Sequence, residues 1–246
     1  MPDVPFAPLL INGERRPAST GATYSVYSPH TGALASTAAA ASSEDCRAAI
    51  EAAQRAFPAW EAMLPAMRRD ILLRAAATFQ SEEWQKKVAP LMQAEAAMPR
   101  SHILFNVVAG VRLLGDVASL ANNLKGETLP SIVPGGQVFV QRRAHGVMYV
   151  FVIWDCLCCG AYQGCRYSVV PWNAPIPLTI TSVVIPLICG NTVVIRPSEF
   201  CPYTSYLVVE ALHEVRELDI WNEVVVVADV VDLRLAFPRV LSISCL

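Results

Sequence analysis

Charge is scarce in this chain. Asp, Glu, Lys and Arg together make up 16% of its 246 residues and nearly cancel, leaving a formal charge of −2. No basic patch or stripe is available to follow a phosphate backbone, so nucleic acid is excluded as a partner. Neither a Gly-x-Gly-x-x-Gly turn nor a Walker loop occurs, which removes the usual glycine-rich phosphate cradles. The first residues, MPDVPFAPLL, place no basic region ahead of an apolar run, so no secretory leader is expected. Histidines number four. Eight cysteines are present, but Cys156, Cys158, Cys159 and Cys165 crowd one stretch without the paired spacing of a zinc site. In the absence of a leader they are expected as reduced thiols of a cytoplasmic protein. No internal repeat or low-complexity run is seen.

What the chain has is apolar surface, 54% of its residues. That is enough for a substantial core. Asn12-Gly13 between extended segments predicts a hairpin, and Ser28–Gly32 a second turn. Ser42 followed by Asp45 predicts a capping box opening a helix with Ala49, Ile50, Ala53 and Phe57 on its inner face. Pro65 suits a first helical position. The helix it opens should bury Met67, Ile71, Leu72, Ala75 and Phe79 and display Arg68, Arg69 and Arg74. Pro90 should break or end the helical stretch beyond Phe79. Ser101 to about Lys125 has the clearest helical period, closed by Gly126. Pro134–Val147 alternates as strand around Gly-Gly, and Val224–Val231 reads as a buried strand.

From Tyr167 to Ile195 no charged residue occurs. The run is long enough to span a bilayer, which makes a membrane-associated protein built on Tyr149–Ile195 a rival reading. Its punctuation argues against that. Pro175, Pro177 and Pro186 interrupt it, and Cys189-Gly190-Asn191-Thr192 is a turn signal. A helix over about Pro177–Leu187, a turn and a buried strand over Thr192–Ile195 fit better.

"PWNAP" (Pro171–Pro175) followed by "PLICGNTVVIRPSE" (Pro186–Glu199) resembles the aldehyde dehydrogenase superfamily. LLINGE (Leu9–Glu14), SPHTG, the AAIEAAQRAFPAW helix, RRDILLRAA, FNVVAG and KGETLPS (Lys125–Ser131) are similar to its N-terminal region, with most likeness to the salicylaldehyde and vanillin dehydrogenase branch. The resemblance implies an α/β fold: an incomplete Rossmann-like coenzyme-binding domain with an N-terminal helical layer and a protruding strand segment. It implies NAD(P)-dependent oxidation of an aromatic aldehyde to a carboxylic acid. Asn173 matches the asparagine whose amide holds the developing oxyanion, and Trp172 would brace that turn and the cofactor wall. Glu199, with Arg196 and Ser198, matches the loop that holds the adenosine ribose. A carboxylate there accepts from the 2′-hydroxyl and repels a 2′-phosphate, favouring NAD over NADP. Arg196 stands where the family usually has lysine, which replaces a flexible ammonium with a planar fork.

The family's remaining signatures are not in these residues. Phe-Thr-Gly-Ser, Glu-Leu-Gly-Gly-Lys with the general base, and Gly-Gln-x-Cys with the nucleophile are all missing. Cys165 follows Gln163 in "YQGCRYS" but precedes the Pro-Trp-Asn corner, with its glycine on the wrong side, and no base accompanies it. The whole chain, 1–246, is therefore expected to be a single truncated coenzyme-binding domain. Within it, 130–147 would be an arm-like strand segment through which homo- or hetero-oligomers form. Two segments depart from the family pattern: 148–170 as an insertion and 215–246 as a divergent tail, each read as retained intron sequence or as true divergence. Two functions compete: an aldehyde dehydrogenase acting on a small-molecule aldehyde, and a pseudoenzyme or binding fragment that associates with a full-length relative.

Overall fold

The computed structural model describes residues 4–150, 172–213, 215 and 225–227. At its centre is a five-stranded sheet built from β2 (Leu9–Ile11), β3 (Glu14–Arg16), β8 (Val147–Val150), β9 (Thr192–Ile195) and β10 (Val225–Val227), in the order β3-β2-β10-β9-β8. β8, β9 and β10 run parallel, and β10 pairs antiparallel with β2. The sheet is therefore mixed, parallel over β8, β9 and β10 as a Rossmann-like domain implies and antiparallel beyond them. The Asn12-Gly13 hairpin supplies the antiparallel edge; both residues sit at positive φ, +58° and +73°, as a two-residue hairpin loop demands.

Side chains on β9 alternate between two layers, as the pleat requires. Val194 joins Leu9 and Ile11 against α1 (Ser43–Ala62). Val193 and Ile195 join Leu10 on the other face, in the core formed with α5 (Pro175–Ile188) and α6 (Pro202–His213). Behind them lie α2 (Pro65–Gln80), α3 (Glu82–Ala96) and α4 (Arg100–Ser119), the last followed by a 3-10 turn over Leu120–Asn123. These three helices form the N-terminal helical layer. The inner face of α1 is mostly alanine: Ala49, Ala52, Ala53 and Ala56 are buried with Trp60, while Phe57 flanks them, which lets the helix axis lie close to the sheet. A smaller sheet comprises β1 (Phe6–Ala7), β4 (Thr23–Tyr27) and β5 (Leu34–Ala39), in the order β1-β5-β4. Among the described residues β6 (Glu127–Pro130) and β7 (Gln137–Val140) pair only with each other, and all eight of their residues are exposed.

Two sequence expectations change. Pro90 lies inside α3 and does not end it, because Trp84, Val88, Leu91 and Met92 pack inward on both sides of it and hold the turn. Arg68 is buried and Met67 exposed, the reverse of the helical-face reading. The reason is a helix end: Arg68 Nη1 donates to the carbonyls of Trp60 (3.2 Å) and Glu61 (3.4 Å) in the last turn of α1, which has no basic residue of its own. The helix expected over about Pro177–Leu187 is present as α5, followed by the expected turn and the strand Thr192–Ile195. Pro175 and Pro177 occupy the opening turn of α5, where the backbone N–H has no intrahelical acceptor, and Pro186 lies in its closing turn.

The first residues of the expected 148–170 insertion are the continuation of β8, and Val225–Val227 of the expected 215–246 tail form β10. The rest of both segments, including Cys165, lies outside the described residues, apart from Val215.

Candidate functional site

α5 links two parallel neighbours, β8 and β9, so it must run back along the sheet and start at the strands' C-terminal edge. Its lower end is fixed by the Gly-Asn turn. Asn191 Oδ1 accepts from the amides of His145 (2.7 Å) and Gly146 (3.2 Å), and its Nδ2 donates to Pro186 O at 3.2 Å. One side chain thus ties the entry of β8 to the exit of α5. The residues just before α5 and just after β9 consequently share the carboxyl edge of the sheet, where open α/β folds bind ligands.

Trp172 and Asn173 form the turn before α5, with Trp172 half exposed. Asn173 O is held 2.9 Å from His102 Nε2 on the first turn of α4. A carbonyl only accepts, so this His102 nitrogen is the protonated one. The ring of His102 stacks on Phe105 with centroids 5.7 Å apart. Asn173 Oδ1 is buried and has no partner among the described residues. α4 can approach this closely because Gly110 faces α5: a Cβ there would stand 2.8 Å from Ile176 Cγ2.

After β9 the chain passes Arg196, Pro197 and Ser198 to Glu199. Arg196 Nη2 lies 3.8 Å from Glu199 Oε2, with the Glu199 side chain 53% exposed. Ser198 is buried, and its Oγ accepts from the Phe200 amide at 3.3 Å, which tightens the loop beneath the carboxylate.

The N-terminus of α6 opens on the same edge, but a protein carboxylate fills it. Glu95, buried on α3, accepts from the amides of Tyr203 (3.1 Å) and Thr204 (3.0 Å), from Thr204 Oγ1 (2.7 Å) and from Ser36 Oγ (2.6 Å). Burial pushes its carboxyl above the ordinary glutamate range, and those donors pull back. The helix end is thus spent on packing and is closed to an external anion.

Among the described cysteines none is an activated thiolate. Burial pushes Cys46 up to about 11, with Asp45 adding to it. Cys201 is fully buried and raised further by the Glu95 charge. Cys189 is raised by burial despite the nearby Arg68 guanidinium. No group of three or more His, Cys, Asp or Glu side chains that could hold a metal ion occurs among the described residues.

The Trp172-Asn173 turn and the Arg196–Glu199 loop share one edge of the sheet, with no activated thiolate beside them among the described residues. The family model for the aldehyde dehydrogenase family matches residues 16–159 and 163–229. Vanillin dehydrogenase of Pseudomonas sp. (strain HR199 / DSM 7063) is 37% identical over 207 residues, covering 84% of this chain and 39% of that protein. The crystal structure of a salicylaldehyde dehydrogenase from Pseudomonas putida G7 complexed with salicylaldehyde superposes with a TM-score of 0.78 at 26% identity, covering 92% of this chain and 42% of that one. PnpE in complex with nicotinamide adenine dinucleotide gives 0.78 at 31% identity, over 91% and 41%. This chain belongs to the aldehyde dehydrogenase family. It spans about two fifths of the length of the curated relatives it matches.

His102 and Glu95 are the residues that sequence reasoning missed. A lone histidine on an apolar helix carries no signal of its own, and only the crossing of α4 over the start of α5 gives it a partner.

Proposed function

We propose that this chain carries the cofactor-side portion of an NAD(P)-dependent oxidation of an aromatic aldehyde to its acid, in the cytoplasm. The observation that carries the reading is the placement of the Trp172-Asn173 corner and the Arg196–Glu199 loop on one carboxyl edge. The exposed Glu199 carboxylate fits the diol of an adenosine ribose, and its charge disfavours a 2′-phosphate, so NAD is preferred. When bound, the nicotinamide accepts hydride. Asn173 donates its amide N–H to the oxygen of the aldehyde as negative charge develops there; loss of such a donor raises the barrier by about 3 kcal/mol. Trp172 walls the cleft beside it.

The relatives' names point to vanillin and salicylaldehyde, which suggests a hydroxylated aromatic ring for the substrate. Because the nucleophile and base motifs are absent from the 246 residues, the second reading applies to these residues alone: they bind cofactor without turning over.

The test uses purified protein. NAD is expected to raise the melting temperature, since a ligand at a hundredfold its Kd stabilises by about 2.7 kcal/mol. Glu199→Ala should abolish that rise. NADH formation from NAD with vanillin or salicylaldehyde should stay at background. No thermal shift at millimolar NAD would refute the cofactor site. Steady turnover lost in Asn173→Ala would show that these residues suffice for catalysis.

A further inference from the structure

Arg68 is a buried cation that the fold leaves short of a counter-ion. It is 5% exposed, and its Nη1 is spent on the two carbonyls at the end of α1. Its Nε is also buried and meets no acceptor among the described residues. No carboxylate among them forms an ion pair with it: Glu61 lies instead 3.9 Å from Arg143 Nη1. A buried N–H without an acceptor, on a buried charge without a partner, is costly.

The turn that closes α5 lies directly against this guanidinium. A Cβ on Gly190 would stand 2.8 Å from Arg68 Nη1 and 3.4 Å from its Cζ. The residue before Gly190 is Cys189, a free thiol and the exposed one among the described cysteines. The Arg68 charge acts on that thiol. Cys189 precedes β9 and the Arg196–Glu199 loop follows it, so the thiol stands at the sheet edge opposite the candidate cofactor site.

We propose that Cys189 is a site of stepwise sulfur oxidation by hydrogen peroxide, and that Arg68 holds the sulfinate formed there. In each step the sulfur attacks one peroxide oxygen; an S–O bond forms, the O–O bond breaks, and the departing hydroxide takes up a proton as water. The first step gives the sulfenic acid and the second the sulfinate, with sulfur oxidised by two electrons each time. A neutral thiol offers Arg68 only a weak acceptor, whereas a sulfinate brings it a negative charge and two oxygens. The advantage lies in the product. Burial holds the thiol above its ordinary range and Arg68 pulls it back, so the first step is slow at neutral pH and quickens as pH rises.

The experiment treats purified protein with hydrogen peroxide, beside Cys189→Ala handled identically to cancel oxidation at other cysteines and methionines. Peptide mass spectrometry is expected to find two added oxygens on Cys189, and treatment should raise the melting temperature relative to treated Cys189→Ala. Because Arg68→Met removes the cap of α1 as well, the charge is tested from the other side. Cys189→Asp should melt about 2–4 °C above Cys189→Asn, and that gap should close below about pH 4 as the carboxylate is protonated. The dipole at the end of α5 opposes a carboxylate there, so a gain must come from Arg68. No sulfinate on Cys189, a sulfinate that lowers the melting temperature, or Cys189→Asp melting no higher than Cys189→Asn each overturns the proposal. The NAD-induced shift should be the same in all of these variants, so its absence refutes the cofactor site and leaves the Cys189 result standing.

Discussion

Single side chains at two helix ends hold this half-fold together. Glu95 collects four donors inside the core, so Glu95→Gln turns one acceptor oxygen into a donor facing N–H or O–H groups that have no water to fall back on. Chemical denaturation should show a loss of about 2–4 kcal/mol, against about 1 for Ser36→Ala, which removes one donor and leaves three. Equal losses would mean that Ser36 rather than the α6 terminus is the main partner. Gly190 is constrained twice. Its φ is +91°, and a Cβ would stand 2.8 Å from Arg68 Nη1. Gly190→Ala should cost roughly 1–3 kcal/mol, whereas Gly115→Ala, in open space on α4, should stabilise by up to about 1. The sign difference is read from paired melting curves. At this scale the turn over Cys189–Thr192 was legible because Gly190 and Asn191 stand between an apolar run and a β-branched one. Arg68 was not. An arginine beside Met67 and Arg69 looks like a solvated face until the end of α1 is seen to need a cation.

Helices and strands were legible where backbone chemistry forces the choice. Asn12-Gly13 tolerates positive φ, and Thr192–Ile195 is a short β-branched run between a turn and a proline. The capping box at α1 is present in full: Ser42 Oγ accepts from the Asp45 amide, and Asp45 Oδ2 accepts from the Ser42 amide at 2.9 Å. Ser19 adds its amide and hydroxyl to the same carboxylate. Burial alone would raise the Asp45 carboxyl, but the Ser42 and Ser19 donors outweigh it and hold it below the ordinary aspartate range. A depressed value means stability that is present above the unfolded-state pKa and is lost as pH falls through the folded one. Urea unfolding should therefore lose stability below about pH 4, and Asp45→Asn should flatten that limb while costing about 1 kcal/mol at neutral pH. An unchanged acid limb in the variant would place the sensitivity elsewhere. The failure at Pro90 has the opposite cause: the local rule is right about the missing hydrogen bond, and the buried face of α3 overrides it.

For the whole molecule, the sheet order was the least legible property. β2 from the first residues, β9 from beyond position 190 and β10 from beyond position 220 lie side by side, and no local pattern announces that N-terminal antiparallel edge. The same assembly sorts the chain by stability. All four residues of β9 are buried, between partners on both sides, so their amides open only with the fold as a whole. Among the described residues the β6–β7 ribbon has no third strand and no buried residue, and two isolated strands are marginal in water. Hydrogen exchange at low protein concentration should find Val193–Ile195 among the slowest amides and Val138–Val140 faster by orders of magnitude. The ribbon also exposes Phe139 and Ile132, a combination that favours pairing with another chain. If 130–147 acts as an arm between subunits, its exchange must slow as concentration rises while β9 stays unchanged, and Phe139→Glu must remove that dependence. Slow exchange in the ribbon at every concentration would show that its protection is internal to one chain, and the arm reading would fall.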